Sequence, residues 1–164
     1  REGALWIARV VLLVAVVFHI HSAYALTMMN RAARPVAYRD RDFVKASYAS
    51  RTMRWGGLIV LLFIVYHLLH LTLGWVQRDT FIHGDVYHNV VSGFRVWWIS
   101  AFYILANLAL GLHLYHGLEA MFSSLGVTHK RFEAWRRGFA TVFAVAITAG
   151  NLSFPLSVLL GLVR

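Results

Sequence analysis

Residues 97–118 read WWISAFYILANLALGLHLYHGL, a stretch without a single charged side chain. A helix rises ~1.5 Å per residue, so this stretch is long enough to cross ~30 Å of hydrocarbon. Three further apolar runs of similar length occur in the chain, and charged residues crowd into the segments between them. The pattern predicts an all-α, polytopic transmembrane helix bundle with four spanning helices. We predict a single membrane domain, 1–164, with helices at about 5–28, 55–76, 97–122 and 138–163.

Composition supports a membrane protein and excludes several other classes. Of the 164 residues, 59% are hydrophobic, against roughly 45–50% in soluble domains. The absence of cysteine excludes disulfides, thiolate-held zinc and iron–sulfur clusters ligated wholly by this chain. The net charge of +9 could suggest a nucleic-acid partner, but the basic residues lie at the ends of apolar runs rather than on one helix face. We therefore expect membrane lipid as the surrounding medium and no nucleic acid.

Basic residues are distributed unequally among the three connections between the runs. The first connection carries seven, which are Arg31, Arg34, Arg39, Arg41, Lys45, Arg51 and Arg54. The third carries four, which are Lys130, Arg131, Arg136 and Arg137. The second connection, 77–96, holds only Arg78 and Arg95. The positive-inside rule then predicts that the first and third connections are cytoplasmic, in a multi-pass protein of the bacterial inner (cytoplasmic) membrane.

Six of the nine histidines fall within the apolar runs, namely His19, His21, His67, His70, His113 and His116. Such side chains are costly inside a bilayer and need a reason to be there, such as a proton path, a metal or a haem. The only acidic residue within a run is Glu119, which makes a proton pump or antiporter less favoured. Zinc and diiron sites would need close carboxylate or thiolate neighbours, which the runs lack.

Two of these histidines lie at matched depth. His19 is nine residues before the end of the first predicted helix and His113 nine residues before the end of the third, so both lie ~14 Å from the cytoplasmic ends. A pair of imidazoles at one depth is what axial ligation of a b-type haem requires. Ala23 and Gly117 follow these histidines by four residues, on the helix face where a flat macrocycle needs room.

The remaining histidines of the apolar runs have less defined roles. His67 lies ~18 Å from the start of the second predicted helix, nearer the outer leaflet, and has no evident partner in the sequence. We interpret His70 as a contact to a haem propionate or as the alternative ligand on that helix. His21 and His116 are interpreted as surface-near groups or as contacts to the ligands and propionates. His83, His88 and His129 lie outside the runs and are expected to be solvated.

Motifs spread over nearly the whole chain resemble one family. They are HIHSAYALTMMNRAARPVAY at 19–38, ASYASRTMRWGG at 46–57, VYHLLHLTLG at 65–74, YHNVVSGF at 87–94 and LGLHLYHGLEAMFSSLG at 110–126. Together they resemble the cytochrome b membrane-anchor subunit of succinate dehydrogenase and fumarate reductase, in its single-polypeptide, b558-type form. The succinate-oxidising site of such an enzyme is on another subunit.

The resemblance implies a subunit of succinate:quinone oxidoreductase, respiratory complex II, which carries electrons between an iron–sulfur subunit and a quinone. A flavoprotein and the iron–sulfur subunit would dock on the cytoplasmic face, and the quinone would be menaquinone or ubiquinone. His19 and His113 would hold the haem b nearer the iron–sulfur subunit. His67 would hold a second haem, whose other ligand belongs to a first helix that this chain lacks. We therefore expect five helices in the complete subunit and one or two haems.

Quinone contacts are also implied by the resemblance. Ser50 and Arg54, spaced S-x-x-x-R ahead of Gly57, match quinone-site positions of related anchors, and Arg31 lies where another helix ends. These arginines could instead set topology or pair with haem propionates, and a quinone site near the outer face is a further alternative. Two other functions stay open, a cytochrome b anchor of a hydrogenase or formate dehydrogenase and a haem-free structural anchor.

Overall fold

The computed structural model describes residues 2–33 and 48–163, and within them every regular element is helical. The helices are α1 (Glu2–Ala32), α2 (Tyr48–His67), α3 (Val86–Arg95), α4 (Trp97–Ser124) and α5 (Glu133–Leu159). A π-helical turn, Leu68–Thr72, continues α2, and a 3-10 turn, Lys130–Phe132, precedes α5. The four helical segments long and apolar enough to cross a membrane are Gly3–Ala32, Met53–Thr72, Trp97–Ser124 and Lys130–Leu159. The predicted all-α fold with four spanning helices is confirmed.

The chain divides into two compact units, Arg1–Phe43 and Val44–Arg164. In the first unit the described structure is α1 and its last turn, and it carries His19 and His21. Thr27 Oγ1 donates a hydrogen bond to the Ala23 carbonyl at 2.8 Å, an arrangement that satisfies a hydroxyl within a helix in an apolar medium. Arg31 lies in the last turn, where a positive charge complements the negative end of the helix dipole.

In the second unit α4 is the central helix, in contact with both α2 and α5. Lipid is as apolar as leucine, so helices in a membrane associate through close packing and hydrogen bonds rather than through the hydrophobic effect. Small buried residues on α5, Ala140 and Ala144, allow such close packing. Gly111 of α4 faces Thr148 of α5, whose side chain fills the space that a Cβ would need. The buried apolar core comprises Phe63, Val91, Phe94, Ile99, Tyr103, Ala106 and Val158.

The second connection contains the helix α3, which the hydropathy pattern does not predict. Asp85 caps its first turn by accepting a hydrogen bond from the backbone N–H of His88 at 2.9 Å. Asn89 is buried and pairs with the backbone N–H and C=O of Ile82 at 2.9 and 2.7 Å. With 10 residues α3 is too short to cross a bilayer, so its presence leaves the number of spans unchanged.

Helix ends differ from those predicted because backbone geometry, rather than hydropathy, determines them. The second span ends in a π-helical turn in which Leu73 N–H bonds to the Leu68 carbonyl at 2.9 Å. Gly74 follows with φ +67°, a conformation that glycine adopts without strain, and Phe81 packs where its Cβ would be. At the other end of the unit, α5 begins at Glu133 and continues through the buried Pro155 to Leu159.

Candidate functional site

Three polar rings meet where α2 ends against α4. His67 lies in the last turn of α2, His70 in the π-helical turn and Tyr103 on α4. The Tyr103 hydroxyl lies 3.0 Å from His70 Nδ1 and 3.4 Å from His67 Nδ1. His70 Nε2 lies 3.1 Å from Gln77 Oε1. A continuous set of hydrogen bonds therefore links His67, Tyr103, His70 and Gln77.

His70 is the most enclosed member of this set, with 1% of its surface exposed. Gly93 of α3 covers it so closely that a Cβ at that position would lie 2.8 Å from His70 Cε1 and Nε2. The same Cβ would lie 3.2 Å from Gln77 Oε1. Glycine at 93 is thus needed for α3 to close over the bond between His70 and Gln77, and both ring nitrogens of His70 are engaged within the protein.

His67 differs from His70 because it borders a cavity of about 500 Å³. The cavity lies between α2, α3, α4 and α5, and its size falls in the range of small-molecule and cofactor sites. Apolar side chains form most of its wall, including Phe63, Phe94 and Phe154. Within the described part of the chain, Nδ1 is the ring nitrogen of His67 that forms a hydrogen bond, and Nε2 forms none.

Two asparagines contribute polar groups to the same cavity and join α4 to α5. Asn151 Nδ2 donates to Asn107 Oδ1 at 2.9 Å, and Asn107 Nδ2 donates to the Tyr103 carbonyl at 2.8 Å. An amide buried among apolar side chains is stable only when paired in this way. The two asparagines therefore fix the α4–α5 register beside the rings of His67 and Tyr103.

His113 and His116, the two histidines of α4, lie toward the other end of that helix. Tyr103 and His113 are ten residues apart, ~15 Å along the helix. The His113 ring packs on α2 at Gly57, where a Cβ would lie 3.5 Å from His113 Cε1. A Cβ at Gly117, one turn on, would have no described atom within 4 Å. His116 Nδ1 is buried and has no hydrogen-bond partner among the described residues.

Charged residues tie α4 to α5 at this same end. Arg137 lies 2.8 Å from Glu133 and 3.7 Å from Glu119, and Arg136 donates to Ser123 Oγ at 3.1 Å. Arg137 is 63% exposed, so its ion pairs belong to the surface. The basic residues of the third connection thus extend into the first turn of α5, with acidic partners on both helices.

The roles predicted for several site residues stay predictions. His19, His21 and Arg31 lie on α1, in the first unit, so the pairing of His19 with His113 is a prediction that the second unit alone does not test. Arg54 is exposed on α2, and Ser50 lies one turn before it, with a side chain outside the described residues. In the parts of the chain that the structure describes, no three histidine or acidic side chains form a group suited to a metal ion.

Tyr103, Gln77 and Gly93 are the functional candidates that sequence reasoning missed. The signal that could have indicated Tyr103 is a hydroxyl within an apolar run, which has to find a partner inside the bundle. Comparison of the chain with protein-family models, with curated proteins and with solved structures gives no match. The functional proposal therefore depends on the sequence motifs and on this geometry.

Proposed function

We propose that this chain is a membrane-anchor cytochrome b subunit of a succinate:quinone oxidoreductase, carrying electrons between an iron–sulfur subunit and a membrane quinone. The observation that carries the proposal is His67, an imidazole within a membrane span that borders an apolar cavity of about 500 Å³. Its Nδ1 is held by Tyr103, while its Nε2 forms no hydrogen bond to a described residue. A haem-ligating histidine is typically held in this way, by its other ring nitrogen.

The residues near the other end of α4 fit a second haem. Gly57 brings α2 against the Cε1 edge of the His113 ring, which limits the ring's rotation. The open space beside Gly117, one turn from His113, suits a flat macrocycle. His113 would be a ligand of the haem at that end, and His67 would be a ligand of the other haem. When bound, haem b supplies one-electron transfer, and the chain's contribution is ligation, orientation and exclusion of water.

The choice of enzyme depends on the resemblance of the motifs at 19–38 and 110–126 to the succinate dehydrogenase and fumarate reductase anchors. On this proposal the flavoprotein and iron–sulfur subunits bind the cytoplasmic face, where the basic first and third connections lie. The protein resides in the bacterial inner membrane. Ser50, Arg54 and Arg31 would contact the quinone or the haem propionates from that side.

A visible spectrum of the complete complex tests the haem assignment. We expect a b-type alpha band in the reduced-minus-oxidised spectrum. The intensity of this band should be lower in His113→Ala and in His67→Ala than in the unaltered complex. His129→Ala is the control, because His129 lies outside the spans and caps the 3-10 turn by accepting the Arg131 backbone N–H at its Nδ1. No alpha band in the unaltered complex, or one equally strong in all three variants, would refute the assignment.

A haem-free structural anchor is the second candidate, and the hydrogen bonds of His70 favour it. Both ring nitrogens of that histidine bond within the protein, so His70 already has a structural reason to be in the membrane. The haem content of the purified complex separates the two candidates. Reduction of quinone by succinate, rather than by hydrogen or formate, separates the proposed enzyme from the hydrogenase and formate dehydrogenase types.

A further inference from the structure

The hydrogen bonds from Gln77 to His67 determine where each proton lies. Gln77 presents its amide oxygen to His70, and an amide oxygen can only accept, so His70 Nε2 carries the hydrogen. A neutral imidazole has one N–H, so His70 Nδ1 is then the acceptor, and it receives the Tyr103 O–H at 3.0 Å. The Tyr103 oxygen, having donated its hydrogen, is left to accept one from His67 Nδ1 at 3.4 Å.

We propose that Tyr103, His70 and Gln77 are positioning residues that hold His67 in its Nδ1–H tautomer, so that Nε2 presents its lone pair to the iron of a haem in the cavity. A ligating histidine commonly donates its other N–H to a neighbouring acceptor, which fixes both tautomer and ring orientation. Here the acceptor is a tyrosine whose own proton is directed away by a second histidine. The ligating role depends on the proposed function, whereas the tautomer of His67 does not.

The surroundings keep this set of bonds in one arrangement. His70 is 1% exposed, and Gly93 leaves no space between α3 and the His70–Gln77 bond for a competing water molecule. The Gln77 carbonyl accepts the backbone N–H groups of Thr80 and Phe81 at 3.2 and 3.0 Å, which anchors that residue in a turn. Because the Gln77 amide oxygen faces His70 Nε2, His70 Nδ1 is left as an acceptor, and the Tyr103 hydroxyl donates to it rather than to the more distant His67 Nδ1.

Aromatic rings fix Tyr103 from two sides. Phe63 meets it edge to face at a centroid distance of 5.1 Å, and Phe94 at 4.9 Å. Such contacts restrict the ring and so direct its hydroxyl toward the two histidines. Tyr103→Phe should therefore keep the packing while removing only the hydroxyl that links His67 to His70.

Tyr66 provides a matched control. It lies on α2 in the same aromatic cluster, with its ring 5.8 Å from that of His70. Its hydroxyl is buried and has no hydrogen-bond partner among the described residues. Tyr66→Phe therefore removes an equivalent phenol hydroxyl without changing the bonds of His67.

The test uses the complete complex with only this chain labelled with 15N-histidine, and reads tautomers by solid-state NMR. Unaltered protein and Tyr66→Phe should show His67 protonated at Nδ1 and His70 at Nε2. Tyr103→Phe should show His67 in a mixture of both tautomers, and Gln77→Leu should release His70 in the same way. The haem held by His67 should bind roughly 10–100-fold more weakly in Tyr103→Phe, and its midpoint potential should rise because the ligand becomes less basic.

The outcomes separate this inference from the proposed function. A complex without haem overturns the proposed function and the ligating role with it, whatever the tautomer of His67. A haem-containing complex with His67 protonated at Nε2 overturns the inference alone, because Gln77 would then present its amide nitrogen and every bond would run the other way. Equal tautomers and equal haem potentials in Tyr103→Phe and Tyr66→Phe would overturn it as well.

Discussion

Replacing Gly93 by alanine places a methyl group against His70. The added Cβ would lie 2.8 Å from two atoms of the His70 ring and 3.2 Å from Gln77 Oε1. Real Cβ atoms do not come as close as 2.8 Å to other atoms, so either α3 moves away or the His70 ring turns. A turn of the ring separates His70 from Gln77, because the clash falls on the ring nitrogen that forms their bond, and a shift of α3 uncovers that bond.

The expected cost follows from three contributions. Overpacking of this kind costs about 1–3 kcal/mol, and alanine in place of glycine within a helix returns about 0.5–1 kcal/mol. Weakening the buried His70–Gln77 bond adds about 1 kcal/mol. The net loss in the free energy of unfolding should therefore be about 2 kcal/mol. Unfolding by denaturing detergent, followed by far-UV circular dichroism, would measure it.

Gly150→Ala is the matched control for this variant. Gly150 is also helical, on α5, and a Cβ there would meet no described atom within 4 Å. That variant should be unchanged or stabilised by up to about 1 kcal/mol. If Gly93→Ala proves as stable as Gly150→Ala and His70 keeps its Nε2–H tautomer, then α3 does not close over His70 as described, and the reasoning is wrong.

Three further predictions concern the contacts between α4 and α5. Gly111→Ala should destabilise the protein by about 1–3 kcal/mol because Thr148 fills the space for a Cβ, and Thr148→Ala should restore most of that loss in the same unfolding assay. Asn107→Leu should lower the free energy of unfolding by about 1–3 kcal/mol because it leaves Asn151 without its acceptor. Adding Asn151→Leu should recover stability. A double variant no more stable than Asn107→Leu alone would contradict the pairing. Arg137→Ala should cost below about 1 kcal/mol, with a difference that shrinks in high salt, since this arginine is 63% exposed; a larger, salt-independent loss would contradict a surface role.

The four spans were predictable because a bilayer imposes a length and an apolar composition that can be read directly from the sequence. Helix α3 was not, since its 10 residues are neither long nor uniformly apolar. Its capping residue, Asp85, and the spacing of Val86, Val90 and Phe94 are signals that become convincing only once α4 provides a surface to cover. The π-helical turn has no comparable sequence signal, so hydropathy predicts the end of the second helix at 76, whereas the helical structure ends at Thr72.

Part of the candidate site could be found from the sequence. Histidines within apolar runs attract attention because burial is costly for them, and that argument requires no knowledge of their neighbours. Their partners could not be found this way. Whether Tyr103 reaches His67 depends on the register of α2 against α4, and whether Gln77 reaches His70 depends on the turn that follows Thr72. The spacing of residues along one helix predicts neither the register between two helices nor the geometry of the turn that follows.

The unequal roles of His67 and His70 arise from what lies beyond α2. The two histidines are three residues apart and both reach the hydroxyl of Tyr103, at 3.4 and 3.0 Å, so their spacing alone gives no reason to prefer either as a ligand. The π-helical turn and the turn at Gln77 remove this equivalence. Among the described rings they bring an amide oxygen to His70 alone, and Gly93 then encloses that bond. His70 is thereby bonded within the protein at both nitrogens, whereas His67 borders the cavity and its Nε2 forms no hydrogen bond to a described residue, which is why we propose His67 rather than His70 as the ligand.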